Sequence, residues 1–184
     1  MNLLYPKFPL NRWPLMLGVA VLGALIAGAY GIIHDQITYS ISPEYFTRLK
    51  FEQFKWANRG WPTRVFVGEI GFLATWWVGF FAGWFLARVL APHASPARVV
   101  PLALRGFAIV VGCALAFAAA GFLYGLRGPI NVNTSEIAAI GALIGAKDLP
   151  AFTRVAYIHN AGYLGGLAGT IAASFILWRI VRRR

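Results

Sequence analysis

The stretch "WPLMLGVAVLGALIAGAYGIIHD", residues 13–35, holds no charged side chain until it ends on His34 and Asp35. At about 1.5 Å per residue, the apolar part (residues 13–33) extends about 31 Å as a helix, one hydrocarbon-core thickness. It predicts a transmembrane helix. Working outward, residues 65–90, 102–126 and 155–178 are also long and apolar enough to span. Of the 184 residues, 59% are hydrophobic and 12% charged, against about 25% charged in soluble domains. The expected fold class is an all-α membrane protein, a four-transmembrane-helix bundle forming one integral membrane domain over residues 1–184.

The first span is expected to be a retained anchor. Lys7 and Arg12 precede it and "AGA" at residues 27–29 resembles a cleavage site, but the apolar run exceeds the usual 7–15 residues of a signal core. Orientation follows from the basic residues. With both termini inside, Lys7, Arg12, Arg88, Arg98, Arg105, Arg179, Arg182, Arg183 and Arg184 lie on the cytoplasmic side. Arg48, Lys50, Lys55, Arg59, Arg64, Arg127, Lys147 and Arg154 lie opposite. The dense "WRIVRRR" at the last exit favours N-in, C-in topology in a bacterial cytoplasmic membrane.

The net charge of +11 does not indicate nucleic-acid binding. The basic residues flank the spans rather than forming one patch, where they attract anionic lipid. The expected partners are the lipid bilayer and a membrane-protein partner or a second copy of the chain. A lone cysteine, Cys113, excludes an intramolecular disulfide.

The connections carry structure of their own. After the first span, "SPEYFTRLKFEQFKWANRG" (residues 42–60) has Ser42 as N-cap, Pro43 at the first helical position and Gly60 at the stop. The expected element is an interfacial amphipathic helix over residues 43–58, with Glu44 and Glu52 spaced to pair with Arg48 and with Lys50 and Phe51 breaking the pattern. In the second outer connection, Asn133 and Glu136 have capping-box spacing. They open a short helix over residues 134–146, too short to span. Asp148 and Pro150 start the last helix.

Four ionisable residues fall near one boundary: His34, Asp35, Glu69 and His159. Glu69 and His159 each lie four residues inside their spans, about 6 Å deep. Stepping back from His34 at helical spacing meets Tyr30, Ala27, Gly23 and Ala20. Stepping forward from His159 meets Gly162, Tyr163, Gly166, Thr170 and Ala173. Small residues mark close-packed faces of membrane helices, so both imidazoles are expected to point into the bundle, while Asp35, about 100° round from His34, could face water. Ionisable groups inside spans are costly and usually paired or functional. Two imidazoles with carboxylates suit a divalent transition metal such as Zn, Fe, Mn or Cu. The candidate ligands are His34, Asp35, Glu69 and His159, with Tyr30, Glu44, Asn160 and Tyr163 as supporting hydrogen-bonders. No HExxH, ExxH or CxxC motif occurs.

"HDQITYSISPEYF" (residues 34–46) together with "YIHNAGYLGG" (residues 157–166) resembles a group of small four-span bacterial membrane proteins of no established activity. The resemblance covers the first outer loop and the last span. It implies the four-span fold and singles out His34, Asp35, Glu44, His159 and Asn160, with no reaction, substrate or cofactor attached.

Three functions remain open on the residues. One is metal-supported redox or hydrolytic chemistry at an outward-facing site. Another is a non-catalytic membrane subunit whose polar cluster is structural. The third is a lipid or small-molecule carrier using a cleft under residues 133–146. Serine-based hydrolysis earns little support, because Ser40, Ser42 and Ser135 lie in loops or caps. The sparse polar steps in the lower half of the bundle argue against a rotary or channel role.

Overall fold

The computed structural model describes residues 10–127 and 135–182. Among them the chain is helical throughout its long elements. A 3₁₀ turn, Leu10–Arg12, leads into α1, Trp13–Ile41. The connection after α1 contains three short helical pieces, Tyr45–Lys50, Phe51–Gln53 and Lys55–Ala57, together termed α2. α3 is Thr63–Leu90, α4 Pro96–Tyr124, α5 Glu136–Leu143 and α6 Leu149–Arg182. The four long helices are each apolar enough to cross a membrane, as the expected spans require.

Their ends differ from the hydropathy reading. α1 runs two turns beyond residue 33, so His34 and Asp35 lie inside a helix instead of closing it. Nothing before Ser42-Pro43 can break the helix, and the residue preceding proline is the natural stop. α6 begins at Leu149, where the Asp148 carboxylate accepts the Ala151 N–H at 3.0 Å, a side-chain cap of the expected kind. Ser42 Oγ likewise accepts the Tyr45 N–H at 3.4 Å, and Gly60 adopts the positive φ of 75° needed to turn the chain.

The bundle is two helical hairpins. α1 lies along α3, and α4 lies along α6, while contacts between the hairpins are sparse. Glycine lets the first pair approach closely. A Cβ on Gly31 would collide with the backbone of Gly71, and one on Gly23 with that of Gly79. In lipid, such close packing replaces the hydrophobic drive available in water. The stripe read under His34 therefore faces α3 first, rather than α6.

Two apolar clusters join the hairpins at opposite ends. One gathers Met16, Val19, Leu86, Leu90, Phe107, Ala173 and Leu177. The other gathers Tyr45, Phe46, Val67, Phe152, Val155 and Ala156, bringing α2 over the start of α6. The outer faces are large apolar side chains at helical spacing, including Leu164, Leu167, Ile171 and Phe175 on α6, all exposed. Such surfaces are a liability in water and the normal dress of a helix in lipid. The chain is a multi-pass membrane protein.

α2 is less regular than the amphipathic pattern suggests. Its first piece is wound as a π-helix, with the Phe51 N–H bonded to the Phe46 carbonyl, five residues back. Glu44 does not pair with Arg48. Its Oε2 accepts the backbone N–H groups of Lys147 and Asp148 at 2.9 and 2.8 Å, tying α2 to the entrance of α6. Glu52 pairs with Lys55 at 3.6 Å, an exposed contact worth little. Asn133, the expected cap of the second short helix, lies outside the described residues; Ser135 caps α5, accepting the Ala138 N–H at 3.3 Å.

Candidate metal and ligand site

The site forms where α1 and α6, from different hairpins, come together beneath α2. His34 and Asp35 arrive on α1, and His159 on α6. Trp13 to His34 is about 31 Å of helix, so the cluster sits about one hydrocarbon thickness from the opposite boundary.

One ligand-capable atom from each of His34, Asp35 and His159 lies within 4.8 Å of the others. The two imidazoles meet edge to face, with ring centroids 4.9 Å apart. His159 Nε2 is 3.8 Å from Asp35 Oδ1, with both side chains less than a tenth exposed. Asp35 is thus buried, at 3% exposure, and of the two directions open to it takes the one into the bundle: the hairpins close around it.

Tyr30 and Thr38 flank the trio. The Tyr30 hydroxyl stands 3.3 Å from His34 Nδ1, leaving the other ring nitrogen available. Thr38 Oγ1 donates to the His34 carbonyl at 3.0 Å and lies 3.2 Å from His159 Nε2. A hydroxyl has one proton and two lone pairs. With its proton on the carbonyl, Thr38 has lone pairs for His159 in the tautomer that carries a proton on Nε2. Thr38 went unread in the sequence because the first span was ended at residue 33. The absence of any helix breaker before Pro43 is the signal that would have placed it one turn above His34.

The other expected members are distributed differently. Tyr163 donates to the Ala74 carbonyl of α3 at 3.3 Å, bridging the hairpins beside the trio. Glu69 is not among the residues that converge on the trio; its Oε2 is buried without a hydrogen-bond partner among the described residues. Gly71 marks the side of α3 that meets α1, and Glu69 lies about 200° round from it at 3.6 residues per turn. Asn160 is exposed, and Glu44 is used on the α6 entrance.

Aromatic rings roof the cluster. Tyr45 and Phe46 place their ring centroids 5.1 and 6.1 Å from that of His159. Burial raises the Tyr45 phenol well above its ordinary value, with the nearby Asp35 carboxylate adding to it, so this hydroxyl stays neutral. The roof is α2; α5 packs against the start of α6, with Gly141 against Phe152.

Below the trio lies a cavity of about 90 Å³, bounded by all four long helices. That is room for several water-sized groups. His34, Asp35, His159, Tyr30 and Tyr163 line one end, while Gly23, Ala27, Val78, Ala82, Phe107 and Val111 line the rest. Among the described residues of that segment, 135–146, none borders it; this cavity lies between the hairpins and not under the second outer connection.

Lys50 also lines this cavity, a residue that sequence periodicity treated as a misfit. The π-type winding of residues 45–50 departs from 100° per residue, so azimuths reckoned on an α-helix fail there. The Lys50 ammonium lies 5.8 Å from the Tyr45 ring centre and 6.0 Å from that of Phe54. Burial lowers its pKa, and the Asp35 carboxylate acts in the opposite sense.

The assembled site is a polar head of two imidazoles, a carboxylate, two phenols and an ammonium, above an apolar chamber. No protein-family model matches this chain, and no curated protein or solved structure is similar to it. What the site can do therefore follows from its own geometry.

Proposed function

We propose that this membrane protein holds a divalent transition metal (zinc, iron, manganese or copper) through His34, Asp35 and His159. By the charge distribution, the site faces outward from a bacterial inner membrane. The observation that carries the reading is the convergence of two imidazoles and a carboxylate, with ligand atoms within 4.8 Å of one another. Neutral imidazole and carboxylate are the usual ligands of these ions. The Tyr30 hydroxyl beside His34 is the kind of contact that orients a ligating ring. Three protein ligands leave positions open toward the cavity. A metal there supplies Lewis acidity or an activated water, the basis of hydrolytic or redox chemistry.

Elemental analysis of protein purified in detergent and washed with chelator tests this. About one metal per chain is expected, lost in His159→Ala. Wild-type protein that is metal-free and takes up none of the four ions would end the reading.

A second reading is favoured by a specific contact. Thr38 Oγ1 meets His159 Nε2 across the hairpin seam, with Asp35 3.8 Å away. On this reading the cluster staples α1 to α6 in a non-catalytic subunit, and His159→Ala costs stability with no metal to lose.

A further inference from the structure

The trio occupies only one end of the cavity. From His34 to Gly23, both lining residues, the chamber follows α1 for about 16 Å toward the bilayer centre at ~1.5 Å per residue. Its lower walls are aliphatic, with Phe107 as the one ring. Water gains little there, since an apolar chamber offers it few partners. Tyr163 both borders the chamber and is 40% exposed partway along a helix long and apolar enough to cross a membrane.

Lys50 gives the chamber its second feature. Among the described residues no carboxylate lies within ion-pair distance of its ammonium, which stands over the Tyr45 and Phe54 rings. A half-buried cation that shares a cavity with the Asp35 carboxylate but is not in ion-pair contact with it is costly. It is also delivered by a π-helical turn, a winding that is rare and frequent at functional sites. Ligand pockets combine apolar walls with a few placed polar groups, and a cation among them complements an anionic head.

We propose that the chamber takes a single-chain membrane amphiphile with an anionic phosphate or carboxylate head, the head beside Lys50 and the trio and the chain running down toward Gly23. The inference deepens the metal reading by naming a ligand class for the same site, and rests on it only for chemistry at the head. A dipositive ion on one carboxylate leaves the site net positive beside Lys50, so an anionic head is favoured with the metal present. Binding through Lys50 and the apolar walls needs no metal.

The test uses the full chain in phosphatidylcholine nanodiscs, with dodecyl phosphate, laurate and dodecanol as probes and native mass spectrometry as readout. One dodecyl phosphate or laurate per chain is expected, at least tenfold tighter than dodecanol. Whichever anion binds more tightly identifies the head. Lys50→Gln is expected to erase that preference and Lys50→Arg to keep it, with metal content unchanged in both. Val111→Phe, which fills the chamber away from the head, is expected to weaken both anions and dodecanol at least fivefold. Equal binding of dodecanol and dodecyl phosphate, or full binding in Lys50→Gln and Val111→Phe, overturns the proposal. Metal-free wild type that still binds the anionic probes through Lys50 removes the metal reading alone. Metal retained with no amphiphile bound removes this inference alone.

Discussion

His34 and His159 stand edge to face, ring centroids 4.9 Å apart at 76°, although they belong to helices that otherwise barely meet. Each helix is packed tightly on another partner, α1 on α3 and α6 on α4. The imidazole pair thus marks the seam between two hairpins, and perturbing it probes hairpin docking and site chemistry together.

Thr38→Val keeps the shape of the side chain and removes the hydroxyl that bridges His159 to the α1 backbone. Interhelical hydrogen bonds in membranes average about 0.6 kcal/mol and reach about 1.7. A loss in that range is expected in denaturant unfolding in micelles. On the metal reading, bound metal remains near one per chain.

Metal retention is expected to fall as pH is lowered. Ligating imidazoles and carboxylates must be deprotonated, so protons compete with the ion. The sign is fixed: dialysis at acidic pH should release metal that dialysis at pH 8 preserves. Elemental analysis after each dialysis reads the result, and a metal content that rises toward low pH contradicts ligation by these groups.

Glu69→Gln separates depth from convergence. Glu69 lies at the expected depth but outside the trio, with a buried Oε2 that has no partner among the described residues. The amide removes a buried potential charge at nearly constant volume. Metal content is expected to match wild type, with stability equal or higher. A loss of metal comparable with His159→Ala would make Glu69 a ligand after all.

Gly71→Val and Gly18→Ala make a matched pair. A side chain at Gly71 meets the Gly31 backbone, whereas a Cβ at Gly18 meets nothing within 4 Å. Overpacking costs about 1–3 kcal/mol or more when backbone blocks relief, so Gly71→Val is expected to lower thermal stability sharply. Gly18→Ala gains up to about 1 kcal/mol of helix propensity. Melting of the detergent-solubilised variants distinguishes them.

Glu44→Ala removes the acceptor for the Lys147 and Asp148 amides. A lost cap typically costs about 0.5–2 kcal/mol, and here it also loosens α2 over the trio. Faster hydrogen exchange is expected at those two amides, with Glu44→Gln intermediate.

Four spans, their order and the shared depth of His34 and His159 were legible in the sequence, because hydropathy, length and helical rise are local properties. So were the caps at Ser42 and Asp148, whose side chains act on backbone a few residues away. Tertiary structure alone decided which faces meet. It placed Asp35 inside the seam and Glu69 outside it, since azimuth has meaning only once a neighbouring helix occupies it. Through one π-helical turn it also swung Lys50 from a pattern-breaking position into the cavity. The chamber itself is a property of no single segment: it is the space left when two glycine-packed hairpins meet at their ends and not along their middles.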